Sequence, residues 1–133
     1  MIVVDENIHS REIMTSIAEW YRGQVISVTR LRPRSVIRDD AIPTLLLQLD
    51  KPTFVTTNTE DFWQVVPAHK AYCFVCLQLP KERNKDVSIT LRTLFALPEF
   101  RTKALRMGKV VQVSPAAVSY YGISREIREV ARR

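Results

Sequence analysis

The sequence predicts an α/β fold built on a mostly parallel sheet with right-handed crossovers and a terminal hairpin. Three observations carry that expectation. Short β-branched runs alternate with segments of helical periodicity. The first run, Ile2-Val3-Val4, is apolar at consecutive positions, as a strand buried on both faces is. The 133 residues, 46% hydrophobic and 26% charged, suit one compact, folded domain.

The elements follow in order. Ile2–Val4 reads as the first strand, with Asp5 at its carboxyl end. Ser10 is a candidate N-cap for a helix whose apolar stripe is Ile13, Ile17, Trp20 and Tyr21, ended by Gly23. Val25–Val28 is a second strand, and the basic stretch Thr29–Arg38 a loop. Asp39 or Asp40 can cap a helix carrying Ile42, Leu45, Leu46 and Leu49, with Pro43 in its first turn. Thr53–Thr57 is a third strand, Asn58–Trp63 a short helix or turn, and Tyr72–Leu79 a fourth strand. Asn84–Leu97 has a helical stripe, and Pro98–Met107 continues it or forms a second helix, ended by Gly108. Lys109–Val113 and Ala116–Tyr121 flank Ser114-Pro115 as a hairpin, and Ser124–Arg133 reads as a basic, helical tail.

Twenty Lys and Arg against 14 Asp and Glu give a net charge of +6, which favours polyanions or an acidic protein partner. The longest apolar run, Ala71–Leu77, is too short to span a membrane, and the N-terminus lacks a secretory pattern, so no membrane association and a cytoplasmic location are expected. Cys73 and Cys76 have C-x-x-C spacing inside a strand, where residues three apart point to opposite faces; two buried, reduced thiols are expected.

In an open parallel sheet, reactive groups gather outside the carboxyl ends of the strands. Asp5 ends the first strand, Asp39 and Asp40 open the helix after the second, and Asp61 follows the third. Carboxylates converging from separate segments suit a hard cation such as Mg²⁺ or Mn²⁺. Asp39, Asp40 and Asp61 read equally well as helix caps, whereas Asp5, directly after a buried strand, has no capping duty of its own. His9 and His69 lack motif partners and are read as surface or structural residues; Trp63, beside Phe62, is read as core in preference to a base-stacking platform.

Four segments carry a resemblance: Asp5-Glu6-Asn7 after the first strand, Asp39-Asp40-Ala41-Ile42 before the second helix, Thr56 to Phe62 after the third strand, and Leu77-Gln78-Leu79-Pro80 after the fourth. Together they resemble the short bacterial PIN-like proteins related to VapC-type toxins, over nearly the whole chain. The resemblance implies a PIN-like three-layer α/β/α sandwich over residues 1–123, followed by the tail 124–133. It implies a metal-dependent endoribonuclease, the toxin component of a toxin–antitoxin module, with Asp5, Asp39 and Asp61 catalytic. Asp5, Asp39, Asp40 and Asp61 would hold the Mg²⁺ or Mn²⁺, supported by Glu6, Asn7 and Asn58. One position departs from the family pattern: where a further Asp often stands two residues before D-F, this chain has Thr59.

Arg30, Arg32, Arg34 and Arg38 run into Asp39 and could grip the phosphates of an RNA, or form a solvated loop that neutralises the acids. Arg125, Arg128, Arg132 and Arg133 in the tail could meet an antitoxin, a second subunit of a homodimer, or RNA. Two functions stay open: the nuclease, favoured by the three retained acids, and a non-catalytic PIN-like module binding nucleic acid or protein through a degraded site, favoured by Thr59.

Overall fold

The computed structural model describes residues 1–131. Seven strands form one sheet: β1 (Ile2–Val4), β2 (Val25–Ser27), β3 (Thr53–Thr56), β4 (Cys73–Leu77), β5 (Val110–Val113), β6 (Ala117–Tyr121) and β7 (Arg128–Ala131), in the order β2-β1-β3-β4-β5-β6-β7. The first five are parallel, and β6 and β7 are added antiparallel. The α/β class, the mostly parallel sheet and the terminal hairpin are as the sequence predicts.

The five helices are α1 (Arg11–Trp20), α2 (Ile42–Leu46), α3 (Thr59–Phe62), α4 (Val87–Ala96) and α5 (Lys103–Arg106). Ser10 caps α1 as expected, its hydroxyl accepting from the Ile13 N–H at 3.1 Å. Pleating divides the core in two. Ile2, Val4, Val55, Val75 and Val111 pack with Ile13 and Ile17 of α1 and Leu91 and Leu94 of α4. Val3, Ile26, Phe54, Phe74 and Val110 pack with Ile42 and Leu46 of α2 and Phe62 of α3. Helices thus contribute to both cores, an arrangement compatible with an α/β/α sandwich. Cys73 falls in the first core and Cys76 in the second, both as free thiols, and burial pushes each up to about 12.

Two expectations are corrected. The tail is not helical through residue 131: Arg128–Ala131 pairs antiparallel with β6, Val130 opposite Val118 and Glu129 opposite Ser119. Arg and Glu favour helices locally, but the unpaired edge of β6 offers a ladder of hydrogen bonds that overrides a weak propensity. Arg132 and Arg133 lie outside the described residues. The segment before α4 is also not α-helical from residue 84, because Lys81–Asp86 forms a 3₁₀ stretch with a kink at Arg83.

The strand order decides where a ligand can sit. The chain passes from β1 to β2 on one side and then returns across β1 to β3 on the other, so the connections diverge between β1 and β3. A crevice opens outside the carboxyl ends of those two strands, where Asp5 and Thr56 lie side by side.

Candidate functional site

Asp5 is only 6% exposed. Its Oδ1 accepts from the Glu6 N–H at 2.8 Å and its Oδ2 from the Thr56 hydroxyl at 2.6 Å. The first bond caps the 3₁₀ turn Glu6–Ile8, so Asp5 does have a capping duty, contrary to the expectation from sequence. That duty was illegible because the turn is too short to show periodicity. Burial pushes the Asp5 carboxyl above its ordinary value, while the bonds from Thr56 and Glu6 pull it back.

Thr56 relays the arrangement, since its hydroxyl also accepts from the Asn58 N–H at 2.9 Å. The Asn58 side chain then donates to Asp61 Oδ2 at 2.7 Å. Phe62 is buried against Phe54 and Phe74, with ring centroids 5.6 Å from each, and this anchor leaves Asp61 exposed at the surface of the short helix α3. Asn7 closes the other side, donating to the Thr57 hydroxyl at 3.1 Å.

Asp39 arrives from the 3₁₀ turn Asp39–Ala41, whose cap residue is Arg38 and which has no side-chain cap. The α2 helix likewise has Ala41 as its cap residue, with no side-chain cap bond, so neither Asp39 nor Asp40 serves as the helix cap the sequence allowed. The Asp39 carboxyl lies within hydrogen-bonding reach of Asp61. Partial desolvation, that contact and the charges of Asp5, Asp61 and Glu6 all hold its pKa above the ordinary value. The charges of Asp61, Asp5 and Glu6 thus all reach Asp39. Asp40 pairs with Arg38 at 3.7 Å, both side chains exposed.

Arg38, Asp39, Asp40, Asp61 and Phe62 line an open cleft of about 710 Å³. Of the basic segment, Arg38 lines this cleft, while Arg30, Arg32 and Arg34 are exposed on the loop leading to it, Arg34 in the left-handed region at φ 64°. Sequence reasoning missed Thr56, which reads as one more β-branched strand residue; its double hydrogen bond depends on a strand pairing that no local pattern shows.

A divalent cation can be tested against this geometry. Among the described residues, no three Asp, Glu, His or Cys side chains stand ready to hold a metal ion. Two carboxylates do meet, Asp39 and Asp61, crowded enough to disfavour ionisation of Asp39. Mg²⁺ commonly takes only one or two protein carboxylates and keeps several waters, so this pair fits such an ion while Asp5 adds charge from behind. No family model, curated protein or solved structure matches the chain.

Proposed function

We propose that the protein is a PIN-like, metal-dependent endoribonuclease working at the Asp39–Asp61 pair. The observation that carries this reading is the convergence of Asp5, Asp39 and Asp61 outside the β1–β3 crevice, from three separate segments of the chain. Asp39 and Asp61 cap no helix, and repulsion between acids is tolerated where an ion or a proton compensates it. Asp39 and Asp61 would hold the Mg²⁺ or Mn²⁺, which lowers the pKa of a bound water and neutralises charge on a phosphodiester. Asp5 stays second to them, fixed by Thr56 and Glu6. Arg38 beside the pair, with Arg30, Arg32 and Arg34 on the approach, supplies phosphate contacts. No helix among the described residues is long and apolar enough to cross a membrane. A toxin role with an antitoxin partner rests on the sequence resemblance.

The test is cleavage of a mixed single-stranded RNA in Mg²⁺ or Mn²⁺. Asp39→Asn and Asp61→Asn should each lower the rate by about a hundredfold or more while leaving the fold intact, since both residues are exposed. The absence of three ready ligands among the described residues, together with Thr59 in place of an acid, favours the second reading, a binding module without hydrolysis. Metal-independent RNA binding with no cleavage by the wild type would establish that alternative.

A further inference from the structure

A second cleft of about 790 Å³ opens at the carboxyl ends of β3, β4 and β5, sharing Asn58 with the carboxylate site through the Asn58–Asp61 bond. Trp63, Gln78, Leu79, Pro80 and Gln112 line it. Gln112 lies there because of the pleat. Val111 and Val113 turn into the first core and Val110 into the second, which places Gln112 on the second face.

Gln112 pairs with the fully buried Cys76 and is itself half-buried in the cleft lining. Gln112 and Trp63 are half-buried at this cleft and Gln78 is exposed at its mouth, while Thr59 Oγ1, beside them in the lining, is buried without a partner. Buried polar groups are ordinarily paired, so the Thr59 hydroxyl, with the half-buried Gln112 amide near it in the lining, offers hydrogen bonds to something that enters the cleft. Trp63 is held by Tyr121, with ring centroids 5.2 Å apart, which fixes the indole at the cleft.

We propose that this cleft is a nucleobase subsite for single-stranded RNA. Trp63 provides the stacking surface, and the Gln78 and Gln112 amides, each carrying both donors and an acceptor, read the base edge. The lining carries one acid, Glu60, and no Lys or Arg, so it suits a base better than a phosphate, while the Asp39–Asp61 pair is reached directly through Asn58. The proposal rests on the nuclease reading for its position: the base seated here belongs to a nucleotide beside the scissile phosphate.

The experiment is a titration with short RNA homopolymers of A, C and U in EDTA, following tryptophan fluorescence, so that binding is separated from cleavage. The wild type should show quenching on saturation and unequal affinities for the three. Gln78→Ala with Gln112→Ala should level those affinities. Trp63→Ala should weaken all of them by about ten- to a hundredfold, and Trp63→Phe should restore most of the loss and report whether packing against Tyr121 alone is at fault.

Affinities and base preference unchanged in the glutamine double variant, or equal binding of a fully paired duplex, would overturn the subsite. The nuclease reading is scored separately. Binding with base preference but no cleavage in Mg²⁺ leaves the subsite standing and removes the nuclease, whereas cleavage by the wild type with no fluorescence change does the reverse.

Discussion

Asp5 has no ion-pair partner among the described residues, so its buried charge depends on hydrogen bonds from Glu6 N–H and the Thr56 hydroxyl. With its folded pKa above the ordinary 3.8, the native state keeps the Asp5 proton at pH values where the unfolded chain has lost it. The sign follows: this contribution to stability is complete below 3.8 and is lost as pH rises through the raised value. Thr56→Val removes a donor to the ionised carboxylate at nearly constant volume. It should cost about 1.5–3 kcal/mol at pH 7 and distinctly less near pH 4, by urea denaturation at the two pH values. An equal loss at both would mean that Thr56 acts only through Asn58. The same residue marks a limit of legibility: Asp5 could be singled out because an acid after a buried strand is unusual, whereas a strand threonine is not.

At the scale of elements, strands and long helices were readable where the cause is local. The Ile13/Ile17 stripe, the Ser10 cap and the run Cys73–Leu77 announce themselves by periodicity and burial. Strand β7 does not, because its pairing with β6 is the whole reason it exists. The cleft behind Trp63 was likewise hidden, since three segments distant in sequence build it. The basic loop could be read from charge alone, and its effect should be measurable as charge. Arg32→Ala with Arg34→Ala should weaken RNA binding about equally for all sequences. It should also reduce the slope of log affinity against log salt by about 0.7 for each phosphate that the protein no longer neutralises. A salt titration with unchanged slope would assign the loop to solvent.

At the scale of the molecule, a chain of net charge +6 places three acids outside the crevice of its own sheet, and that opposition makes the site a switch in stability. Asp39 binds its proton more tightly than an isolated carboxyl because desolvation, Asp61 and Asp5 all disfavour its charge. Without metal, this residue stabilises the fold below the ordinary value of 3.8, and the contribution is lost as pH rises through the raised folded value. On the proposed reading a divalent cation would reverse the balance by binding the ionised pair. At a concentration ten times its Kd it adds about 1.4 kcal/mol, or about 3–6 °C in Tm for a domain of this size. Because Asp39 must release its proton to bind, the Mg²⁺-induced rise should be larger at pH 7 than near pH 4, and Asp39→Asn should abolish it at both. Asp39→Asn should also hold its metal-free Tm better than the wild type as pH rises from about 4 to 7. Thermal melts of the two proteins at both pH values, with EDTA and with Mg²⁺, measure each quantity. A metal response independent of pH, or retained by the Asn variant, would place the ion away from Asp39 and Asp61.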